Sequence, residues 1–340
     1  MAKDQIVIVT QMDDAHADDI ILLLHELGHD AIRLNTDDIP VNTLLSLGFD
    51  SSRPQWSGSI AIQTNGRIID AEAIRSVWWR RPAAFGLPLD LSLQEREFAT
   101  DEIDHALRSL WASLDCYWIS YPEHIRQASW KGAQLQRAAQ LGFDVPRTII
   151  TTDPDAARAF YYDCPNGMIF KVMTDPFLGA QKMIEKHPDQ PPPEAYGTST
   201  TLVSEAELAL LDSVRLVPCL FQEYIPKQLD LRVTVIGDEL FAAEIHSQTN
   251  QQTRIDWRNY DVDIPYRRAQ LPADVAARCM ALVKSHNLNF SAIDLILTPD
   301  GRYVFVENNP NGQFMFVEEL VPELKMTEAL AACLIRGGNS

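Results

Sequence analysis

Short apolar runs alternate with amphipathic stretches at the start of the chain. Residues 5–10, QIVIVT, form a run typical of a strand, and apolar residues at 20, 23, 24 and 27 recur at helical spacing until Gly28. The segment AIRLNTDDIP then has the pattern of a second strand and its turn. This β-α-β order predicts that the first ~120 residues form a small α/β domain with a largely parallel sheet.

The same region contains further elements. The segment SIAIQTNGRIID predicts a hairpin that turns at Asn65-Gly66, and SVWWRRP predicts a strand that ends in Arg80 and Arg81. The segment FATDEIDHALRSLWASL is typical of a helix. Asp14, His16 and Asp18 lie near the start of the first helix and could be metal ligands, but the acidic residues there are expected instead to cap and charge-complement the N-terminus of that helix.

The remainder of the chain predicts two further regions. A helix over residues ~128–141 is expected to end at Gly142, and the proline-rich stretch 185–200 is expected to be a surface loop. Strands, a hairpin at Gly237-Asp238 and a helix over ~273–287 follow. We therefore predict three domains: an N-terminal α/β domain over 1–122, a central domain over 123–200 and a C-terminal domain over 201–340.

Two apolar strands near the C-terminus end in polar residues. In SAIDLILTPDGRYVFVENN, residues 291–309, Asp300-Gly301 is a strong hairpin signal. A two-residue loop places residue 299 opposite 302, and the same register places Asp294 opposite Glu307. Because side chains alternate along a strand, Asn309 is expected on the same face as Glu307.

The facing pair of carboxylates has a chemical consequence. Two carboxylates ~5 Å apart repel each other unless a cation lies between them. The oxygen donors of Asp294, Glu307 and Asn309 suit Mg²⁺ or Mn²⁺, which commonly complete their coordination with phosphate oxygens. The alternative is a pair of exposed carboxylates at a sheet edge.

Two other segments have features that suit a metal-bound phosphate. Lys171 stands alone in the apolar strand MIFKVMT, where a charged side chain usually has an anionic partner, although a strand-end lysine can also extend to water. The strand-to-turn segment from Gln222 to Ile225 can hydrogen-bond a purine edge, and Asp230 follows at a distance suited to ribose hydroxyls.

Composition excludes several classes of protein. With 46% hydrophobic residues among 340, the chain can bury a large core. The net charge of −18 argues against a nucleic-acid-binding surface. The five cysteines are scattered without C-x-x-C spacing, which favours neither a disulfide framework nor a zinc site. Because no apolar run reaches the ~18 residues of a membrane span, we expect a cytoplasmic protein without membrane association.

Together these residues resemble the ATP-grasp superfamily of carboxylate ligases over residues ~120–335. The resemblance implies an ATP-grasp fold, of mixed α/β (α+β) class, with an N-terminal parallel-sheet pre-ATP-grasp domain, a central domain and a C-terminal ATP-binding domain. It also implies ATP and Mg²⁺ as cofactors. For the nucleotide, the resemblance implies that Lys131 and Lys171 bind phosphate, that Asp230 binds the ribose and that adenine is bound by Gln222, Glu223, Tyr224 and Ile225. It implies that Arg232 and Arg258 stabilise the γ-phosphate and the acyl phosphate. The implied Mg²⁺ ligands are Asp294, Glu307 and Asn309.

Within the superfamily, the chain resembles the microviridin-type peptide macrocyclases, the graspetide synthetases. The segments that carry this likeness extend over nearly the whole chain: VTQMDDAHADDI, RLNTDDIP, WWRRP, LFQEYIPKQLDLRVTVIGD, DWRNYD and ENNPNGQF. The resemblance implies phosphorylation of Asp or Glu side chains of a ribosomal precursor peptide, followed by lactone or lactam formation. It also implies a leader peptide that docks on the central domain, and a homodimer.

Several substrate contacts stay open. Arg80 and Arg81 are candidates to receive acidic residues of the core peptide, with surface ion pairing as the alternative; Asn311 is a candidate substrate contact and Glu194 a candidate leader contact. The segment TDPFLGAQKM has one glycine where many relatives have a glycine-rich flap, so Lys182 is a further candidate for covering the phosphates.

Two other functions stay open. One is a ligase that adds an amino acid to a peptide or protein carboxylate, and the other is a nucleotide-binding regulator without catalysis.

Overall fold

The computed structural model describes residues 3–174, 200–258 and 262–337, which belong to two units. The first unit contains the residues up to 125, residues 287–290 and the segment from 325 onward. The second contains residues 126–286 and 291–324. Parallel and antiparallel sheets occur together with helices, so the predicted α/β class is confirmed. The division into three domains stays a prediction.

The first unit is built on a four-stranded parallel sheet of order β2–β1–β6–β7. The predicted β-α-β start is therefore confirmed. β1 is buried from Ile6 to Thr10, as expected for a parallel strand whose two faces are covered. The strands are β1 Gln5–Thr10, β2 Ala31–Asn35, β6 Ile74–Trp79 and β7 Tyr117–Ile119.

Among the described residues, the helices of the first unit are α1 Ala15–Glu26, α2 Leu93–Ser113 and, near the C-terminus, α8 Met326–Arg336. Helix α3, Pro122–Ala128, crosses the boundary between the units after residue 125. α1 ends as predicted, because Gly28 adopts φ +79° and donates its N–H to the carbonyl of His25 at 2.9 Å. α2 begins earlier than predicted, because Ser92 and Glu95 form a capping box at its N-terminus. Within the described ranges, no helix combines the length and apolar character that a membrane crossing requires.

A three-stranded antiparallel sheet completes the first unit: β3 Thr43–Asp50, β4 Arg53–Ile62 and β5 Arg67–Asp70. The predicted hairpin is present, but its loop has four residues because Ile62 pairs with Arg67. Gly66 closes this loop by donating its N–H to the carbonyl of Ile62 at 2.9 Å, with φ +71°.

The capping role expected for Asp14 is wrong. Asp14 is at the N-cap position of α1, but its side chain makes no capping hydrogen bond. The carboxylate instead accepts a hydrogen bond from the Thr10 hydroxyl at 2.5 Å and lies 3.6 Å from Nε of Arg80. Because the Arg80 side chain is 1% exposed, its buried charge needs a carboxylate partner, and Asp14 serves this role.

The second unit contains a four-stranded antiparallel sheet of order β10–β9–β11–β8. Its strands are β8 Thr148–Thr151, β9 Met168–Lys171, β10 Thr201–Leu202 and β11 Cys219–Glu223. Helix α5, Pro154–Tyr162, and the 3-10 helix Glu205–Leu216 pack together around an apolar core that includes Met168 and Phe221.

A five-stranded sheet of order β14–β13–β12–β15–β16 forms the rest of the second unit. Its strands are β12 Leu229–Ile236, β13 Glu239–Ile245, β14 Tyr266–Arg268, β15 Phe290–Leu297 and β16 Tyr303–Asn309. The helices that accompany this sheet are α4 Lys131–Gln140, α6 Ala273–Ser285 and α7 Met315–Leu320. The hairpin at Gly237-Asp238 is confirmed, because Ile236 pairs with Glu239. α4 packs against β16, the edge strand of this sheet.

Candidate active site

An open cleft lies within the second unit. Its lining contains both apolar and polar side chains. The apolar residues are Pro146, Ile169, Ile225, Ile255, Trp257, Ile296, Val304 and Val306; the polar lining includes Lys171, Gln222, Glu223, Lys227, Asp230, Asp256, Arg258, Asp294 and Glu307. This mixed lining can contact both apolar and charged parts of a ligand.

Asp294 and Glu307 face each other across β15 and β16, as predicted. The predicted two-residue loop is wrong, because Leu297 pairs with Tyr303 and the connection is longer. A β-bulge then leaves Val306 without a partner and restores the register of the carboxylate pair. The bulge also explains why Val306 and Glu307, which are adjacent in sequence, both line the cleft.

Both carboxylates are buried, with exposed fractions of 6% for Asp294 and 9% for Glu307. They are therefore not an exposed pair at a sheet edge, although β16 is an edge strand. The buried position carries an electrostatic cost unless positive charge lies nearby.

Cationic side chains surround Glu307. Its Oε2 atom lies 3.7 Å from Nζ of Lys131 and 4.0 Å from Nη1 of Arg258. Burial alone would raise the pKa of Glu307, but Lys171, Lys131, Arg258 and Arg232 together hold it below its usual value. Glu307 is therefore ionised at neutral pH, as a metal ligand must be.

Lys171 ends β9 and lines the cleft. The residue is 7% exposed, so the prediction of a buried lysine is confirmed over that of a lysine extending to water. Burial lowers the pKa of Lys171, and the positive charges of Arg258 and Lys131 lower it further, while Glu307 opposes them. An anionic ligand beside Lys171 would stabilise its charged form.

Arg258 is held by Asp256, which the sequence analysis did not identify. Nε and Nη2 of Arg258 donate to the two carboxylate oxygens of Asp256, each at 2.9 Å. This bidentate pair lowers the pKa of Asp256 despite its burial and raises that of Arg258, so both stay charged. Asp256 also accepts the N–H of Thr200 at 3.1 Å.

Arg232, on β12, is buried between a carboxylate and a main-chain carbonyl. Its Nη1 atom donates to Asp294 and its Nη2 atom to the carbonyl of Gln313, both at 2.9 Å. Gly312 lies directly beneath: a Cβ atom there would come 2.7 Å from Nη2 of Arg232 and 2.6 Å from Ala292 Cβ. The glycine after Asn311 is therefore required by the close approach of the guanidinium.

The predicted adenine segment, Gln222 to Ile225, lines the cleft. The Gln222 amide donates to the Thr148 hydroxyl at 3.0 Å, and Glu223 pairs with Arg147 at 3.2 Å. The N–H of Tyr224 donates to the carbonyl of Gly167 at 2.8 Å. These bonds fix the segment along one wall of the cleft.

Asp230 has a buried lysine partner that the sequence analysis also missed. Nζ of Lys227 donates to Oδ1 of Asp230 at 2.9 Å and to the carbonyl of Ile255 at 3.2 Å, and the Ser247 hydroxyl donates to Oδ2. Burial raises the pKa of Asp230, whereas Lys227 and Ser247 counteract that rise. The K-x-x-D spacing was the signal in the sequence, because it places Lys227 just before β12 and Asp230 at the start of that strand.

The remaining candidates lie elsewhere. Arg80 is buried in the first unit beside Asp14 and His16, and Arg81 of the same unit is exposed. Asn311 follows β16 and is half-buried. Glu194 and Lys182, together with most of the proline-rich loop, lie outside the described residues.

The donor set at Asp294 and Glu307 fits a magnesium ion that is only partly coordinated by protein. In the described ranges, no group of three or more His, Cys, Asp or Glu side chains is placed to hold a metal by itself. Asn309 is the last residue of β16, pairs with Ala292 and is half-buried, and it is not part of the cleft lining. The two carboxylates are, however, the kind of incomplete oxygen set that Mg²⁺ uses when substrate phosphates supply further ligands.

Comparisons with known proteins agree over nearly the full length of the chain. Residues 5–126 match the family model described as the MvdD pre-ATP grasp domain. The macrocyclase MdnC from Microcystis aeruginosa MRC, solved with its precursor peptide MdnA, is 30% identical; the match covers 97% of this chain and 99% of MdnC, with a TM-score of 0.83.

Two further solved structures are similar. A RiPP-associated ATP-grasp ligase from Chryseobacterium gregarium, solved with ADP and a leader and core peptide, is 26% identical over 97% of this chain and 96% of its own, with a TM-score of 0.85. The macrocyclase MdnB from Microcystis aeruginosa MRC is 29% identical over 98% and 99% of the two chains, with a TM-score of 0.78. No curated protein matches the chain.

Proposed function

The chain belongs to the microviridin-type family of ATP-grasp ligases, the family of the macrocyclase MdnC, and on that basis we propose that it closes side-chain rings in a ribosomally made precursor peptide. An Asp or Glu carboxylate of the peptide attacks the γ-phosphorus of ATP, and ADP leaves. A Thr or Ser hydroxyl, or a Lys amine, then attacks the acyl phosphate, and phosphate leaves. Each ring removes one water from the peptide as ATP becomes ADP and phosphate.

One observation carries this proposal: basic side chains surround two buried carboxylates that line the cleft. Lys131 and Arg258 lie 3.7 Å and 4.0 Å from Glu307, and Arg232 lies 2.9 Å from Asp294. A carboxylate is unreactive until its oxygen becomes a phosphate leaving group. Fixed positive charges that stabilise the moving phosphoryl group are therefore the main requirement, and general-base chemistry is secondary.

The proposed roles follow the residues that line the cleft and the basic residues that pair with its carboxylates. Lys131 and Lys171 bind phosphate oxygens, and Arg232 and Arg258 stabilise the γ-phosphate and the acyl phosphate. The segment from Gln222 to Ile225 binds adenine through its main chain. Asp230, oriented by Lys227, binds the ribose.

Asp294, Glu307 and Asn309 would hold Mg²⁺, which supplies charge neutralisation at the phosphates when bound. Lys171, Lys131 and Arg258 then have a second role, because they lower the pKa of Glu307 and keep it ionised in its buried position. The side chains of this chain thereby prepare the ligand set before the metal arrives.

The proposed partner is a precursor peptide with a leader and a core. Arg81, exposed at the end of β6, is proposed to receive acidic residues of the core, and Arg80 to support that position from its buried site. Asn311 is proposed as a further core contact and Glu194 as a leader contact. We also propose a cytoplasmic homodimer with the three domains 1–122, 123–200 and 201–340.

The test is a mass spectrum of a candidate precursor after incubation with the protein, ATP and Mg²⁺. Candidates are short peptides, encoded near the gene, that contain repeated Thr and Glu or Asp. Loss of one water, about 18 Da, for each ring supports the proposal. Gain of an amino-acid mass would instead indicate a ligase that extends a carboxylate, and nucleotide binding without turnover of any precursor would indicate a regulator.

A further inference from the structure

Gln134 is a buried polar residue on α4, with an exposed fraction of 2%. Its amide makes three hydrogen bonds. Nε2 donates to the carbonyl of Ala128 at 2.6 Å and to the carbonyl of Asn308 at 2.7 Å, while Oε1 accepts the N–H of Asn308 at 3.0 Å. The side chain thus binds both main-chain groups of a single residue in β16.

This arrangement completes the edge of the five-stranded sheet. β16 is the edge strand, and its outward N–H and C=O groups need partners because they are buried. The N–H of Phe305 donates to the carbonyl of Asp144 at 2.8 Å. At Asn308, Gln134 takes the place of the next strand by offering one donor and one acceptor.

Asn308 lies between the two proposed metal ligands of β16, Glu307 and Asn309. Its own side chain, which is buried, accepts a hydrogen bond from the Ser291 hydroxyl at 2.7 Å. Because both its side chain and its main chain are held, the direction in which the two flanking side chains leave the strand is also fixed.

The same helix carries a cation of the cleft. Lys131 is the first residue of α4, one turn before Gln134, and its Nζ lies 3.7 Å from Oε2 of Glu307. The amide of Gln134 therefore sets the position of α4 relative to β16 and, with it, the separation of the lysine from the carboxylate.

We propose that Gln134 is a positioning residue for the metal-binding end of β16, an inference that rests on the proposed function of the cleft. It aligns Glu307 and Asn309 for a divalent ion without contacting the ion. Residues that orient metal ligands in this way typically change metal affinity by about 10- to 100-fold when replaced. Gln134→Met keeps the length of the side chain and removes all three hydrogen bonds.

The experiment measures binding of Mn²⁺ to the full chain in the presence of ADP, by titration calorimetry or by the electron paramagnetic resonance of free Mn²⁺. Gln134→Met is expected to weaken Mn²⁺ binding about tenfold, and its circular dichroism spectrum should match that of the unmodified protein, which separates loss of metal binding from loss of the fold. Gln136→Met is the matched control, because Gln136 is exposed on the same helix, and it should bind Mn²⁺ as the unmodified protein does.

A second variant keeps the proposal falsifiable if Gln134→Met does not fold. Gln134→Glu retains an acceptor for the Asn308 N–H and loses the donors, so a folded variant with weakened Mn²⁺ binding supports the proposal. Unchanged Mn²⁺ binding in a folded variant overturns it, and unfolding of both variants overturns it in favour of a purely structural role. If the unmodified protein itself binds neither ADP nor Mn²⁺, the proposed function of the cleft has failed instead.

Discussion

Replacing Glu307 by glutamine is expected to change nucleotide binding in opposite directions with and without a divalent metal. The substitution keeps the size of the side chain and removes one buried negative charge. Without metal, that charge repels the phosphates that Lys131 and Arg258 attract, because Oε2 of Glu307 lies 3.7 Å from Nζ of Lys131 and 4.0 Å from Nη1 of Arg258. With metal, the same charge is the ligand that binds the ion.

The size of each effect can be estimated for a phosphate that binds beside these cations, at a separation of about 4 Å from the Glu307 carboxylate. Two unit charges about 4 Å apart interact by ~1 kcal/mol in water and ~4 kcal/mol at an effective dielectric constant of about 20. Since ~1.4 kcal/mol corresponds to tenfold in affinity, metal-free ADP should bind at least about fivefold more tightly to Glu307→Gln. A bound divalent ion contributes several kcal/mol to phosphoryl transfer, so ADP production should fall by at least ~100-fold.

The assay combines calorimetric titration of ADP in a chelator with a coupled assay of ADP production at saturating Mg²⁺ and precursor peptide. Glu319→Gln is the matched control, since Glu319 is exposed outside the cleft and its loss changes the net charge equally. Unchanged turnover would refute the assignment of Glu307 as a metal ligand. Weaker metal-free ADP binding would refute the electrostatic reasoning even if turnover fell.

Three further predictions concern the surroundings of the cleft and the first unit. Gly312→Ala should lower turnover and destabilise the fold by about 1–3 kcal/mol, because the new Cβ would overlap Arg232; urea unfolding and steady-state kinetics measure both effects. Lys227→Met should cost about 3–5 kcal/mol of stability by leaving Asp230 as an unpaired buried charge, and adding Asp230→Asn should recover much of it. The pKa of His16 is lowered to about 4, mainly by burial and secondarily by the positive charge of Arg80. As the pH falls, the unfolded state therefore binds this proton before the folded state does, and the free energy of unfolding should fall by up to about 3 kcal/mol from pH 6.5 to pH 4. His16→Asn should flatten that pH dependence in urea titrations.

Each of these predictions has a matched control. Gly48→Ala should be tolerated, because its Cβ would meet Ser57 Oγ only at 4.0 Å; equal stability of the two alanine variants would contradict the overlap argument. Lys284→Met removes an exposed ion pair and should cost less than about 1 kcal/mol; an equally small loss at position 227 would contradict the burial argument. His105→Asn, at an exposed histidine, should leave the pH dependence intact, and a pH dependence unchanged by His16→Asn would show that another group causes it.

The sequence predicted the carboxylate pair by a route that the structure only partly confirms. A two-residue loop at Asp300-Gly301 was expected to place Asp294 opposite Glu307. The longer loop shifts the first pairs by one residue, and the bulge at Val306 shifts the register back. No local pattern in VFVEN predicts a bulge, because its position is set by packing on both faces of the strand.

The residues that support the site show how far sequence reasoning extends. Asp256 and Lys227 lie two and three residues from their partners, so the spacings D-x-R and K-x-x-D could have indicated them. Gln134 is different, since its partner Asn308 is 174 residues away. A glutamine on an amphipathic helix is normally exposed, and only the tertiary contact with an edge strand makes this one buried and essential to the hydrogen-bond balance.

The chain as a whole has a negative net charge, whereas basic side chains cluster at the cleft, and the fold accounts for both. A net charge of −18 repels an extended polyanion such as nucleic acid. Yet basic side chains dominate around Glu307 strongly enough to keep it ionised while buried. The pKa of Lys171 is lowered by burial and by the positive charges of Arg258 and Lys131, and a phosphate bound beside it would oppose that lowering. A small anion that enters the cleft therefore relieves the repulsion among the cations, whereas an extended polyanion is repelled by the net negative charge of the chain, so the same charge distribution favours a nucleotide over a nucleic acid.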